Sequence, residues 1–290
     1  MYVAYLKQKI VAIQIWRPVL CLLVIVSMAS LRMNIFVERS LLDISYFEAA
    51  IDIISGSRII LSLLIIFFFM ADVYPGSKNS FDDQVAIRMK SRLNLVLADA
   101  LYIIVLSFFI MILLLISLWI SYIATYQFHE NMFNATEFHT AKSFITLVTG
   151  EANLRMMNLN PGKAFLTQAA LFFLFLVTAG SAIYMINLFL KRKPLGFLVY
   201  LLYYILQACF YYVFGIKHST GIFPYEHSGL FFSEAVNFEV LFGIYNEHSI
   251  ADRLPYHLSY LYFIILFLLS IVICVIFVGR KDMMIQEGIR

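Results

Sequence analysis

The 290 residues are 62% hydrophobic and 17% aromatic, and only 13% are charged, against roughly 25% in soluble domains. A soluble fold of this length could not cover so much apolar surface, which excludes a cytosolic enzyme or a nucleic-acid module and points to an all-α polytopic membrane protein. The net charge of +3, from 21 Lys plus Arg against 18 Asp plus Glu, is too small to imply a polyanionic partner.

The chain opens with Val3, Leu6, Ile10 and Ile13 at helical spacing and Lys7, Gln8, Lys9 and Gln14 between them. Residues 1–17 therefore read as an amphipathic helix lying in the membrane interface, or as a basic anchor that orients the first span. They lack the basic start, apolar run and small-residue cleavage site of a secretory signal, so no segment is expected to be removed.

Crossing an apolar layer of about 30 Å takes roughly 20 helical residues, because each backbone polar group must be satisfied within the segment. Six segments fit, approximately Pro18 to Phe36, Ile59 to Tyr74, Leu101 to Tyr126, Phe165 to Leu190, Leu195 to Gly215 and Leu258 to Gly279. With an even number of spans both termini share one side. Lys7, Lys9, Arg17, Lys78, Arg88, Lys90, Arg92, Lys191, Arg192, Lys193, Arg280, Lys281 and Arg290 fall there, and the excess of basic residues makes it the cytoplasm. Most acids, among them Glu38, Asp43, Glu48 and Asp52, and all the histidines fall on the outside.

Between the second and third spans, residues 75–98 form a cytoplasmic region. Pro75-Gly76-Ser77 signals a turn, Asp82 or Asp83 can cap a helix, and Val85, Met89, Leu93 and Val96 give that helix an apolar face. Its basic face, Arg88, Lys90 and Arg92, suits either positive-inside anchoring or contact with a soluble partner. Asp72 and Asp99, at the cytoplasmic ends of the second and third spans, are expected to be solvated at the interface or paired with Arg88 or Arg92. Two external loops, 127–164 and 216–257, carry aromatic and acidic residues without low-complexity character. The fourth and fifth spans, joined by Lys191-Arg192-Lys193-Pro194, must form a tight hairpin. Their polar residues, Thr178, Ser181, Asn187, Tyr203, Tyr204, Gln207 and Tyr211, either line a pathway or hydrogen-bond helix to helix.

Motifs for chemistry are missing. There is no phosphate-binding GxxxxGK[ST], no HExxH, no CxxC and no Gly-x-Ser-x-Gly, so the chain is expected to be no enzyme and to hold no cofactor or metal of its own. Cys21, Cys209 and Cys274 lie in apolar runs, where a thiol acts as a small hydrophobe.

This order of elements, with Ile87-Arg88-Met89-Lys90-Ser91-Arg92 before the third span and Phe277-Val278-Gly279-Arg280-Lys281-Asp282 at the close, resembles the membrane subunits of ABC-2 type exporters. The likeness runs over nearly the whole chain as one permease domain, although the loop between the third and fourth spans is longer here than in the better-known members. It implies a second permease subunit, identical or related, in the cell membrane. It also implies a separate cytosolic ABC ATPase that binds ATP and Mg and docks on Asp82, Asp83, Arg88, Lys90 and Arg92. The aromatic, charge-poor spans favour an amphipathic or hydrophobic cargo, with a membrane-active (antimicrobial) peptide as the preferred one. The rival reading is a non-transporting sensor or immunity protein that binds cationic peptides through its acidic external loops.

Overall fold

The computed structural model describes residues 2–11, 13–40, 44–56, 64–73, 92–126, 132–133, 160–190, 195–203 and 256–287. Among them the helices are α1 (Tyr2–Val11), α2 (Trp16–Ser40), α3 (Tyr46–Gly56), α4 (Arg92–Tyr126), α5 (Pro161–Leu190) and α6 (Tyr256–Glu287). Residues 195–203 are also helical, a π-helical turn runs from Ile66 to Met70, and no strand occurs among the described residues. Four helices are long and apolar enough to cross a membrane, over Trp16–Asn34, Leu93–Tyr126, Pro161–Leu190 and Tyr260–Val278. They make the chain a helical membrane protein, and they coincide with the first, third, fourth and sixth expected spans. The second and fifth expected spans are described only over 64–73 and 195–203.

Element boundaries follow local chemistry. α5 starts on Pro161, whose missing N–H and fixed φ suit the first helical position. α4 starts at Arg92, nine residues before the expected third span, because no glycine or proline interrupts 92–101. The last residues of the 75–98 segment are thus continuous with the span that follows, and Val96 is already buried.

α3 is a helix within a stretch whose acids place it outside the membrane by sequence. Ser45 and Glu48 form a reciprocal capping box: the Ser45 N–H and hydroxyl donate to Glu48 Oε2 at 2.9 and 2.8 Å, and the Glu48 N–H donates to Ser45 Oγ at 3.4 Å. With its first turn satisfied in this way, α3 buries Ala49, Ala50, Ile53 and Ile54 against α2, α4 and α5. Its start is tied to α4 by the Tyr122 hydroxyl, which donates to the Ile44 carbonyl at 2.5 Å, and by the Tyr46 hydroxyl, which donates to Leu115 O at 3.3 Å. The Tyr46 ring meets Tyr122, Phe133 and Phe165 edge-on, the arrangement aromatic quadrupoles favour.

Inside the bundle, hydroxyls are returned to the backbone. Ser107, Ser117 and Ser270 donate to the carbonyls four residues earlier. Ser121 and Thr178 do the same and also reach across, to Val26 O on α2 at 3.3 Å and to Phe263 O on α6 at 3.2 Å. Thr178, with Ser181 bonded to Thr178 O, thereby serves helix packing.

Two long helices approach closely at Gly180 on α5. A Cβ there would stand 2.8 Å from Ile103 Cγ2 on α4 and 2.9 Å from the Met70 sulfur in the π-helical turn. Small residues let membrane helices meet backbone to side chain, where packing supplies most of the attraction. Gly180→Ala is expected to lower the thermal midpoint of the detergent-solubilised protein and Gly180→Val to lower it further, by an overpacking cost of about 1–3 kcal/mol. An unchanged midpoint for the valine variant would refute this contact.

Candidate functional site

Three polar clusters tie the helices together, the first at the docking of α1. The deepest is built on Asp99, about two turns into α4 and 1% exposed. A buried carboxylate loses several kcal/mol of hydration unless cations and donors replace its water. Here α1 supplies both. Lys9 Nζ donates to Asp99 Oδ1 in an ion pair of 2.5 Å, and the Tyr5 hydroxyl donates to the same oxygen at 2.5 Å. From α5, the Tyr184 hydroxyl donates to Oδ2 at 3.1 Å. The Lys9 ammonium also lies 4.9 Å from the centroid of the Tyr5 ring and 5.3 Å from that of Tyr102, within the range of cation–π attraction.

This cluster sets the rotation of α1. Tyr5 and Lys9 lie one turn apart, on one face, and that face docks on α4 with Tyr5 buried. The opposite face carries exposed Val3, Ile10 and Val11. Leu6 also packs on the core, and exposed Lys7 lies among the outward residues, so the outward face is an apolar surface with one charge in it, as suits a helix bordering the lipid interface.

The second cluster joins α2 to the end of the 64–73 segment. Arg17 pairs with Asp72 at 2.5 Å, donates from Nη1 to Phe68 O at 3.4 Å, and lies over the Trp16 ring, which meets Phe68 edge-on. Phe68 belongs to the π-helical turn, closed by Ala71 N–H donating to Ile66 O. Wide turns of this kind disturb the carbonyl ladder, and Arg17 serves one of the carbonyls. The expected solvation of Asp99 is corrected here, whereas Asp72, with its side chain 50% exposed, does lie at a solvated edge as one reading had it. Their partners come from the N-terminal segment, as Arg17 and Lys9, and Asp99 is shielded from solvent.

The third cluster is Asn187, fully buried near the end of α5. Its Nδ2 donates to Val73 O at 2.7 Å, and its Oδ1 accepts from Gly196 N–H at 2.8 Å. One amide thus closes the turn between α5 and residues 195–203 and ties both to the 64–73 segment. Gly196 has no room for a side chain, since a Cβ would press on Asn187 and lie 2.7 Å from Ile183 O.

Of the residues singled out from sequence, Asn187 is enclosed with its amide used by backbone groups, whereas Tyr203 is 45% exposed. The structure does not bring these two to a common surface. Arg92 is the first residue of α4. Asp82, Asp83, Arg88, Lys90, Tyr204, Gln207 and Tyr211 lie outside the described residues. Sequence reasoning missed Tyr5, Lys9, Tyr102 and Tyr184 as a set, because nothing in local spacing links residues ninety positions apart. The acid at position 99 amid apolar residues was the available signal. Among the described residues no three His, Cys, Asp or Glu side chains gather as metal ligands, and Cys21 and Cys274 are free, buried thiols. The arrangement holds charge and joins helices. Comparison with protein-family models, curated proteins and solved structures finds no match to the chain.

Two consequences are measurable by unfolding in detergent. Lys9→Met leaves the Asp99 carboxylate buried without its cation and is expected to cost about 3 kcal/mol. Asp99→Asn costs less, because Lys9, 20% exposed, can turn toward water. The double variant Lys9→Met/Asp99→Asn should be more stable than Lys9→Met alone, and strictly additive losses would contradict the pairing. Asn187→Leu strands the Val73 carbonyl and the Gly196 N–H and is expected to cost about 1–3 kcal/mol.

Proposed function

We propose that the chain is the membrane-spanning subunit of an ATP-driven exporter of the ABC-2 type, placed in the cell membrane with both termini in the cytoplasm. Six spans belong to this reading, the second and fifth completing the four long helices described above. The observation that carries it is the junction at the start of α4. Residues 92–98, the end of the segment read as cytoplasmic, already belong to a membrane-length helix, and α1 is pinned to that helix at Asp99. A push on residues 92–98 by a soluble partner would pass directly along α4, and by way of Lys9 and Tyr5 to α1.

In this reading the chain carries no ATPase site. The partner ATPase pair binds ATP and Mg, and its closure displaces the segment holding Asp82, Asp83, Arg88, Lys90 and Arg92. A second permease subunit, identical or related, completes the pathway, and Tyr203, Tyr204, Gln207 and Tyr211 are the candidates for its lining. An amphipathic or hydrophobic cargo, such as a membrane-active peptide, suits the aromatic and charge-poor spans.

The test is purification in mild detergent with identification of what accompanies the chain. A stoichiometric ATPase is expected with the wild type and is expected to be lost with Arg88→Glu/Lys90→Glu/Arg92→Glu. Recovery without any ATPase, together with peptide resistance that survives the triple variant, would favour the non-transporting sensor or immunity protein instead.

A further inference from the structure

The cation in the Asp99 cluster arrives from a separate piece of chain. The fixed walls are Asp99 and Tyr102 on α4 and Tyr184 on α5, two long helices in direct contact at Ile103 and Gly180. Lys9 and Tyr5 belong to α1, ten residues long and packed chiefly on α4. Helices this short are marginal by themselves, so α1 depends on its docking. Its outward face, with Val3, Ile10 and Val11 exposed around Lys7, also suits it to lie in a lipid interface once undocked. Departure of α1 would leave a carboxylate with one phenol donor and one ring face, enclosed by apolar helices. Such a site has high demand for a cation and little space for water.

We infer that Asp99, Tyr102 and Tyr184 form a binding site for a primary ammonium group, which Lys9 fills from within the chain and which the ammonium of an amphiphile fills when α1 undocks. The chemistry selects among cations. A primary ammonium can donate hydrogen bonds to the carboxylate, as Lys9 does, while resting on the Tyr102 ring. A quaternary ammonium keeps the cation–π attraction but has no N–H to donate. A small metal ion would find one carboxylate and few other oxygens, short of the coordination hard cations require. The ligand must approach from the headgroup layer beside α1, so its ammonium is carried either by an aminophospholipid or by another amphiphilic amine. In both, the recognised group is the same.

The test uses the full chain in neutral detergent and then in nanodiscs. Lys9→Ala vacates the cation position. Ethylammonium chloride is expected to raise the thermal midpoint of this variant by roughly 3 °C over an equal concentration of tetramethylammonium chloride, and to have no such effect on Lys9→Ala/Asp99→Asn. Equal response to the two salts overturns the site. A second measurement needs no variant: hydrogen exchange of the α1 amides in the wild type, in nanodiscs of phosphatidylethanolamine and of phosphatidylcholine. Faster exchange in phosphatidylethanolamine supports the site with a lipid headgroup as its ligand. Equal exchange in the two lipids, accelerated by added dodecylamine, supports it with a non-lipid amine. Exchange unchanged in all three conditions overturns the displacement of Lys9.

Discussion

A carboxylate buried at the end of an apolar helix is the constraint around which this end of the molecule is arranged. Asp99 cannot be left without a counter-charge, and the chain meets that requirement with a lysine and a tyrosine from its first helix and a second tyrosine from α5. The rotation of α1 and the contact between α1 and α4 follow from that single requirement. Ion pairs at a solvated surface contribute little. This one differs because its acid is enclosed, so that separation of the partners is opposed by the hydration the acid cannot regain.

The same logic, applied to backbone groups, explains the other two junctions. Arg17 serves a carbonyl in the π-helical turn while holding Asp72, and Asn187 serves a carbonyl and an N–H on two different segments. Water is scarce where apolar helices pack, so side chains take over hydrogen bonds that solvent would supply in a soluble fold. The small side of this economy is Gly180, where the absence of a Cβ lets α5 approach Ile103 and Met70.

Much of the helical framework was legible because a membrane-crossing helix announces itself by length and apolarity alone, and α2, α4, α5 and α6 contain four of the six apolar runs read from the sequence. Helix ends were less visible. The sequence reads a short helix before residue 98 and a separate span from Leu101, whereas the two are one helix from Arg92 onward, with paired Asp99 inside it. α3 was obscured by Glu48, an acid that signals exterior loop by composition; its role as half of a capping box was nonetheless written in Ser45-Tyr46-Phe47-Glu48. The Asp99 cluster could not be assembled from sequence, since its members meet only through the packing of three helices.

The π-helical turn at Ile66–Met70 gives the 64–73 segment an asymmetry toward changes in length. A wide turn accommodates one residue beyond α-helical register, and each residue of an α-helix advances the side-chain direction by roughly 100°. Deleting one residue there would relax the backbone into an ordinary helix, yet swing Asp72 away from Arg17 and the Val73 carbonyl away from Asn187. The irregular turn thus acts as a phase shifter. It sets the angular register at which the segment reaches both of its polar partners, and a more regular helix would miss them.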